Sequence, residues 1–365
     1  MRILHVSTPS TWRGGEQQVA YLAIALKAFS EKQQILTPIQ SVLSQQLMHS
    51  GIHLENFKRS GALDISLAKN ITRICEKEKI QIIHTHDSHA HSAAVISAAI
   101  FGNKTPVVVS RRVDFAISSS PLSIWKYNHS SVKKIICVSE AIKDITAPRI
   151  KDKSKLVVVH SGIDLHRYEN LPIENILRKE FKISEDKILI GNLSALADHK
   201  DYPTFIEVAA KLLHENLLLH FFIIGEGPER TKLENLIRSS QLQNNITLTG
   251  FRKDVPAVMS ALDIFMITSK TEGLGTIVLE AFACKIPVVA TKAGGIPELV
   301  IHEKTGLLAE PGDVDQLVNQ VKHLIKNPRM KVELAENAAN YVQQYSYENT
   351  AQKTFEIYKT LITYE

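Results

Sequence analysis

The sequence predicts an α/β protein made of two Rossmann-like domains, each built on a doubly wound parallel sheet. Short apolar stretches that indicate buried strands alternate with stretches of helical periodicity, the pattern of parallel sheets covered on both faces. Two such series follow one another along 365 residues, a length that exceeds what one hydrophobic core fills. We expect domains over residues 1–165 and 166–346 that face an interdomain cleft at the carboxyl ends of their strands.

The first series starts at the N-terminus, and its apolar stretches predict strands at Ile3–Ser7, Gln34–Thr37, Ile80–Thr85, Pro106–Ser110, Lys134–Val138 and Lys155–His160. Helices are expected at Glu16–Phe29 and His89–Ile100. The second series predicts strands at Lys187–Leu193, His220–Ile224, Ile246–Thr249, Ile264–Thr268 and Pro287–Ala290. Phe355, Tyr358 and Leu361 recur at helical spacing, so a last helix is expected over residues 347–365.

Composition argues against a nucleic-acid-binding or disulfide-stabilised protein. Lys and Arg number 43 against 38 Asp and Glu, a net charge of +5, which is too mild and dispersed for a nucleic-acid-binding surface. Cys75, Cys137 and Cys284 lie far apart in apolar surroundings, which indicates reduced core residues. No signal-peptide pattern and no apolar run of membrane-spanning length is present, so we expect a cytoplasmic location.

The segment from Thr271 to Ala281 carries two glutamates around a glycine-rich bend. A buried strand is predicted before it and a helix over residues 276–284 after it, so unpaired N–H groups at the helix start favour a phosphate. These are the N–H groups of Gly273, Leu274, Gly275 and Thr276. Glu272 precedes the helix, and Glu280 lies about two turns deeper, able to accept hydrogen bonds from ribose hydroxyls. The segment therefore indicates a nucleotide-sugar site.

In the first domain, Gly14 and Gly15 lie in the loop after the first predicted strand. Two glycines let a phosphate or a sugar approach the start of the next helix, although a tight turn explains them equally. The neighbouring residues Trp12 and Arg13 carry no motif that fixes a role.

Four histidines, His84, His86, His89 and His91, surround the end of the third predicted strand. Imidazole is a common metal ligand. Alternation along the strand sends His84 and His86 to one face, whereas the other two begin a helix, so the four need not meet at one ion. We expect no metal site here.

Segments along the whole chain have the order and spacing of a known family. They are Gly14-Gly15-Glu16, Ile83-His84-Thr85-His86, Val138-Ser139-Glu140, His160-Ser161-Gly162-Ile163-Asp164, Lys200, Gly225-Glu226-Gly227-Pro228, Gly250-Phe251 and Gly294-Gly295-Ile296-Pro297-Glu298. With Glu272 and Glu280, they resemble the E-x7-E retaining glycosyltransferases of family four, which have the GT-B architecture. The resemblance implies that the last helix packs back onto the N-terminal domain.

The resemblance also implies roles for individual residues. His86 is expected to contact the donor sugar or to orient the acceptor, with His89 as the alternative position. Lys200 is expected to neutralise the diphosphate and Glu272 to bind sugar hydroxyls, so the expected catalytic residues are His86, Lys200 and Glu272. Main-chain groups around Phe251 and Arg252 are expected to hold the base.

One position departs from the family pattern. Many relatives have an arginine directly after the glycine in the first strand of the second domain, where it forms a clamp on the diphosphate with a lysine; this chain has Asn192 after Gly191. Binding of the diphosphate must then rely on Lys200, on the helix N-terminus, or on another arginine such as Arg252. The departure leaves open a lower activity or an unusual donor.

The function implied by the resemblance is metal-independent, retaining transfer of a sugar from a nucleotide-diphosphate sugar to a glycan or lipid-linked acceptor, in synthesis of cell-envelope polysaccharide or lipopolysaccharide. No cofactor is expected. Asp313 and Asp315 match the D-x-D pattern of metal-dependent transferases, but a helix cap explains them. The alternatives are a nucleotide-sugar epimerase or hydrolase of the same architecture, and a non-catalytic subunit that binds a nucleotide sugar.

A weak peripheral membrane contact is indicated by residues 121–129, which mix apolar, aromatic and basic side chains. Lys126, Lys133 and Lys134 would meet anionic lipid at the inner face of the cytoplasmic membrane. An ordinary packed helix is the alternative.

Overall fold

The computed structural model describes residues 1–58, 64–172, 174–215 and 217–362. The chain forms two compact units, residues 1–162 with 346–365, and residues 163–345. The sequence places the boundary at 165, and the structure divides the chain after Gly162 and again before Ser346. Each unit is an α/β unit with an all-parallel sheet, which confirms the predicted fold class.

The sheet of the first unit has the strand order β3-β2-β1-β4-β5-β6-β7. Its strands are β1 Arg2–Val6, β2 Lys32–Pro38, β3 His53–Phe57, β4 Ile82–Thr85, β5 Val107–Arg111, β6 Val132–Cys137 and β7 Leu156–Val158. The helices before the second unit are α1 Gly14–Leu26, α2 Val42–Leu47, α3 Ile65–Glu78, α4 Ser88–Phe101, α5 Pro121–Asn128 and α6 Glu140–Thr146.

The sheet of the second unit has the strand order β10-β9-β8-β11-β12-β13. Its helices are α7 Ile176–Phe181, α8 Tyr202–His214, α9 Arg230–Ser239, α10 Val255–Ser260, α11 Thr276–Ala283, α12 Ile296–Leu299, α13 Val314–Lys326 and α14 Pro328–Tyr341. Its strands are β8 Ile188–Leu193, β9 Leu219–Ile224, β10 Ile246–Gly250, β11 Ile264–Ile267, β12 Val288–Thr291 and β13 Leu307–Ala309.

The predicted strands are all present, with ends shifted by at most about two residues. The sequence does not predict β3, a polar strand at the edge of its sheet, or β13, which has only three residues. The first helix begins at Gly14 rather than at Glu16. Glu16 Oε2 accepts a hydrogen bond from Arg13 N at 2.8 Å, so Glu16 lies inside the first turn and caps it.

The last helix, α15, covers Tyr347–Lys359 and belongs to the first unit. Phe355 stacks on Phe29 with ring centroids 5.3 Å apart, and the fully buried Tyr358 joins the core that contains Ile3 and Leu26. The predicted helix extends to 365, and residues 363–365 lie outside the described part of the chain.

In the part of the chain that the structure describes, none of the helices combines the length and the apolar character needed to cross a membrane. The short helix α5 leaves Leu122 58% exposed and Trp125 43% exposed. Two of the lysines assigned to a membrane contact bond within the protein: Lys126 Nζ donates to Ser88 Oγ at 3.0 Å, and Lys134 Nζ donates to a main-chain carbonyl at 3.0 Å. The lysine contacts fit the packed-helix alternative, whereas the exposed Leu122 and Trp125 on α5 fit the membrane alternative.

Candidate functional site

In the second unit, Lys200 and Glu272 form a buried ion pair. Lys200 Nζ lies 2.5 Å from Glu272 Oε1, and the two side chains are 14% and 9% exposed. Ser269 Oγ donates to the same carboxylate oxygen at 2.8 Å. Lys200 follows β8 and Glu272 follows β11, which are neighbours in the sheet. Parallel strands end at one edge, so two residues that are distant in sequence meet there.

A glycine pair after β12 holds the main chain of Glu272. Gly295 N donates to Glu272 O at 3.2 Å. Gly294 has φ +50°, and a Cβ added to it would lie 1.9 Å from Glu272 O. Only glycine permits this approach. The segment Gly294-Gly295, part of one of the family motifs, thus fixes the position of the main chain of Glu272.

The bend between Glu272 and α11 ends at a glycine in the left-handed region. Gly275 has φ +82° and is the N-cap of α11. The N–H groups of the first turn of a helix have no carbonyl one turn earlier to bond. Glu280 Oε2, deeper in α11, accepts a hydrogen bond from Tyr168 at 2.7 Å, and burial raises the pKa of Glu280. The sequence assigns no role to Tyr168, which orients this carboxyl group.

The guanidinium of Arg252 already forms ion pairs with two carboxylates. Its Nη1 lies 2.7 Å from Glu180 Oε2, and its Nη2 lies 2.7 Å from Asp254 Oδ2. The pKa of Arg252 is raised, chiefly by its hydrogen bonds to Asp254. The neighbouring Phe251 is 66% exposed. Arg252 therefore does not supply a free charge in place of the clamp arginine that the chain lacks.

Asn192, the residue at the clamp position, points into the protein. It is fully buried, and its Oδ1 accepts from Tyr202 Oη at 3.4 Å. Its Nδ2 is buried without a partner among the described residues. The carboxamide of Asn192 carries no charge, so it cannot neutralise a diphosphate. At this edge of the second sheet, Lys200 is the cation in contact with Glu272.

In the first unit, histidines from neighbouring strands form a buried cluster. The pairing of β1 with β4 places His5 opposite His84, and His86 follows β4. The rings of His84 and His86 lie 4.2 Å apart, and those of His5 and His86 lie 5.3 Å apart. His91 instead packs edge-on against an aromatic ring of α5 at 4.6 Å. The pairing of β1 with β4, which the spacing of residues in the sequence does not show, adds His5 to the cluster. His91 lies in α4 and is not part of the cluster.

The nitrogen atoms of His5, His84 and His86 lie within 4.8 Å of one another, near enough for one metal ion. Hydrogen bonds account for all three side chains. His84 bonds the hydroxyl of Tyr358 through Nδ1 and Ser110 Oγ through Nε2, the latter at 2.7 Å. Gln33 Nε2 donates to a carbonyl of α1 at 3.1 Å, so Gln33 Oε1 accepts from His5 Nε2 at 3.2 Å. His5 Nδ1 then accepts from His86 Nε2 at 3.0 Å, and His86 Nδ1 faces Arg112 Nη1 at 3.5 Å. We assign the rings of His5 and His86 the neutral Nε2–H form.

The cluster is neutral because it is buried. Burial lowers the pKa of His5 to about 4, and it lowers the pKa values of His84 and His86 well below their ordinary range. The positive charge of Arg112 lowers all three further. The same charge also opposes a metal cation at this place.

We expect the free energy of unfolding to decrease as the pH falls from 6.5 towards about 4. The folded pKa of His5 is depressed, so the unfolded chain binds the proton first, and the contribution is present above pH 6.5 and lost as the pH falls. For His5 alone the loss is about 3 kcal/mol. Thermal unfolding midpoints measured across this pH range test it, with His5→Gln expected to flatten the pH dependence.

The matched control for this prediction is His323→Gln, because His323 is exposed on α13. This variant should keep the acid sensitivity of the parent. Equal pH dependence of His5→Gln and the parent would show that His5 does not titrate as a buried neutral group.

Gly14 and Gly15 begin α1, and a Cβ added to either would meet no atom within 4 Å. Neither residue is therefore required to be glycine by internal packing. Asp313 caps α13 by accepting from Gln316 N at 2.9 Å, and Asp315 pairs with Lys211 at 2.8 Å. Asp313 is thus the N-cap of α13 and Asp315 the acidic residue of its first turn, as the sequence predicts for the D-x-D pair.

Two family profiles match the chain. Residues 173–341 match the family described as glycosyl transferases group 1, and residues 12–167 match the family described as glycosyltransferase family 4. The two matches cover both units. They agree with the family that the sequence motifs resemble.

The matches to individual relatives have low sequence identity but cover most of both chains. The chain is 24% identical to N-acetyl-alpha-D-glucosaminyl L-malate synthase of Bacillus anthracis, over 77% of this chain and 74% of the relative. It is 25% identical to the UDP-Gal:alpha-D-GlcNAc-diphosphoundecaprenol alpha-1,3-galactosyltransferase of Escherichia coli, over 76% of this chain and 75% of that relative. The crystal structure of Anabaena Alr3699/HepE in complex with UDP-glucose matches with a TM-score of 0.86 and 21% identity, over 99% and 100%. The fold is GT-B, as the sequence predicts.

Proposed function

Because the chain belongs to the group 1 glycosyltransferases of family 4, we propose that it transfers a sugar from a nucleotide-diphosphate sugar to a glycan or lipid-linked acceptor. We propose that the anomeric configuration is retained and that no metal ion or other cofactor takes part. The observation that carries the proposal is the buried pair of Lys200 and Glu272 beside the start of α11. His86 is the proposed catalytic residue of the first unit.

The roles follow from the charges that develop during the reaction. Breaking the anomeric C–O bond leaves positive charge on the sugar and negative charge on the diphosphate. Lys200 has three N–H donors, so it can keep Glu272 and bind a phosphate oxygen at once. Glu272 would accept hydrogen bonds from sugar hydroxyls. The departing phosphate oxygen would take the proton of the acceptor hydroxyl as that hydroxyl attacks from the same face.

The donor is proposed to be a UDP-sugar. This rests on the structural neighbour that was crystallised with UDP-glucose and on the relative named for its UDP-galactose donor. Glu280 has one oxygen occupied by Tyr168, and its other oxygen is proposed to accept from a ribose hydroxyl. Main-chain groups near Phe251 are proposed to contact the base.

The acceptor is proposed to be a glycan or a lipid-linked molecule of the cell envelope, as in the relative that acts on GlcNAc-diphosphoundecaprenol. Such an acceptor would bring the protein to the inner face of the cytoplasmic membrane through a weak peripheral contact. The exposed Leu122 and Trp125 on α5 support that contact. The free, buried cysteines Cys75, Cys137 and Cys284 suit a reducing compartment.

The proposal is tested by incubating the full chain with UDP-, GDP-, ADP- and dTDP-sugars and measuring diphosphate release and thermal shift, with and without EDTA. We expect a thermal shift with UDP-sugars but not with the other nucleotide sugars, slow release of UDP to water, and no effect of EDTA. With a glycan or undecaprenyl-linked acceptor in anionic vesicles, release should accelerate, and NMR of the product should show the donor's anomeric configuration.

The other functions give different results in the same assay. An epimerase or hydrolase would isomerise or hydrolyse the donor at full rate without an acceptor. A non-catalytic subunit would be stabilised by the nucleotide sugar but would release no diphosphate with any acceptor. Loss of release in EDTA, or an inverted product, would contradict the proposed mechanism.

A further inference from the structure

Arg112 is a cation without a carboxylate in direct contact among the described residues of its unit. It follows β5, and its Nη1 makes long contacts with His86 Nδ1 at 3.5 Å and His86 O at 3.4 Å. Its Nε is buried and has no partner among the described residues. Burial lowers the pKa of Arg112 to about 10. In the described part of the chain, no carboxylate lies within 4.0 Å of its guanidinium.

Other partly buried arginines of this protein have anionic or aromatic partners. Arg252 contacts two carboxylates, and Arg178 contacts Asp263 at 3.4 Å. Arg111, the neighbour of Arg112, lies over the ring of Phe115 at 5.1 Å. A partly buried guanidinium without such partners, with its Nε shielded from water, costs free energy in the unliganded protein.

The acidic groups near Arg112 are engaged elsewhere. Asp87 Oδ2 accepts from Thr8 N at 2.8 Å, and Asp87 Oδ1 accepts from the hydroxyl of Thr8 at 2.7 Å and from two N–H groups of α4 at 3.0 Å. Glu16 Oε2 accepts from the N-cap N–H of α1. Both carboxylates raise the pKa of Arg112 through space, but both are held by the helix starts that they cap.

The position of Arg112 is one where α/β sheets bind ligands. The chain builds β2 and β3 on one side of β1 and then returns to add β4 and β5 on the other side. The crevice at the carboxyl ends of strands, where the order reverses, is the usual ligand position. His86 follows β4, Arg112 follows β5, and α1 starts with Gly14 and Gly15, beside which the space is open.

We propose that Arg112, with His86 beside it, binds an anionic group of the acceptor, a phosphate or a carboxylate, at this edge of the first unit. The guanidinium donates two parallel hydrogen bonds to the planar carboxylate or the tetrahedral phosphate. The bound anion compensates the positive charge that has no carboxylate partner among the described residues of the free protein. The inference rests on the proposed function, because it names the chemical class of the acceptor, whereas the donor is assigned to the other unit. Arg112 is then a residue that determines acceptor specificity.

The experiment titrates inorganic phosphate, succinate and neutral glycerol into the full chain at constant ionic strength, and reads the thermal midpoint and the heat of binding. Phosphate represents a phosphorylated acceptor and succinate a carboxylate acceptor. We expect at least one of these anions to bind saturably and glycerol not to bind. Arg112→Gln should weaken that binding roughly tenfold to a hundredfold, whereas Arg112→Lys should keep part of it.

Two further readouts separate this role from a structural one. Arg112→Gln removes a partly buried charge while keeping a donor towards His86, so the midpoint of the anion-free variant should equal or exceed that of the parent. Arg149→Gln is the matched control, because Arg149 is exposed in the same unit, and it should bind the anions like the parent. Binding of neither anion, or a lower midpoint for Arg112→Gln with unchanged anion binding, would overturn the proposal.

UDP binding, measured on the same samples, distinguishes this proposal from the proposed function. Arg112→Gln should bind UDP as the parent does, and a loss of UDP binding would assign Arg112 to the donor instead of the acceptor. A parent protein that binds the anion but neither binds a nucleotide sugar nor transfers it would refute the proposed function and leave the anion site standing.

Discussion

Replacing Lys200 by methionine is expected to lower the rate constant for sugar transfer by about a hundredfold to a thousandfold. Methionine keeps the unbranched shape but removes the charge that would stabilise the departing diphosphate. Among the described residues, it also leaves Ser269 Oγ as the remaining side-chain donor to the buried Glu272 carboxylate. Because that charge develops mainly in the transition state, kcat should fall more than donor affinity. Steady-state kinetics with a saturating acceptor measure both.

The companion variant Glu272→Gln tests whether the two residues act together. Glutamine keeps a hydrogen-bond acceptor for Ser269 but leaves Lys200 without the carboxylate that lies 2.5 Å from its Nζ. We expect weaker sugar binding together with slower transfer. Residues in direct contact are not additive, so the double variant should be far less impaired than the product of the two single effects.

The matched control for Lys200→Met is Lys211→Met. Lys211 pairs with Asp315 at 2.8 Å, but its side chain is 43% exposed, and exposed pairs contribute little. Its removal should leave the transfer rate within about twofold of the parent. A Lys200→Met protein that transfers sugar nearly as fast as Lys211→Met would remove Lys200 from the catalytic mechanism.

The sheets were predictable because buried parallel strands are short, continuous apolar runs. The sequence fails at β3, where an edge strand carries His53 and Glu55 and its burial is incomplete. It also misplaces the start of α1, because a glycine pair normally marks a turn and here occupies the first helical positions. Both errors occur where tertiary context overrides local propensity.

The local structure of the candidate site was predictable where a short segment contains the whole signal, as in the strand, bend and helix around Glu272. Contacts between distant segments were not. The sequence offers Arg252 as a free charge, and only the fold brings Glu180 against it. In the same way, the pairing of β1 with β4 brings His5 within hydrogen-bond distance of His86, whereas the sequence groups His86 with His84, His89 and His91. Side-chain partners across a sheet depend on register, which spacing within one segment does not contain.

Gly294→Ala is expected to destabilise the second unit and to abolish nucleotide-sugar binding. The residue has φ +50°, where an L side chain is strained by about 1–2 kcal/mol. In addition, the new Cβ would lie 1.9 Å from Glu272 O and 2.9 Å from its carbonyl carbon. These are main-chain atoms, so relief requires the backbone of Glu272 to move. We expect a total cost of about 3 kcal/mol or more, measured as the decrease in the unfolding midpoint.

Gly312→Ala separates the two causes, because Gly312 has φ +78° and a Cβ there would meet nothing within 4 Å. The free energy of unfolding of that control should decrease only by the conformational strain of about 1–2 kcal/mol. The control should bind UDP-sugars like the parent. The excess loss in Gly294→Ala then reports the displacement of Glu272. Equal midpoints for the two variants would mean that the loop yields without moving Glu272. The loss of donor binding should follow that displacement, since the carboxylate that contacts Lys200 and the carbonyl that contacts Gly295 belong to one residue.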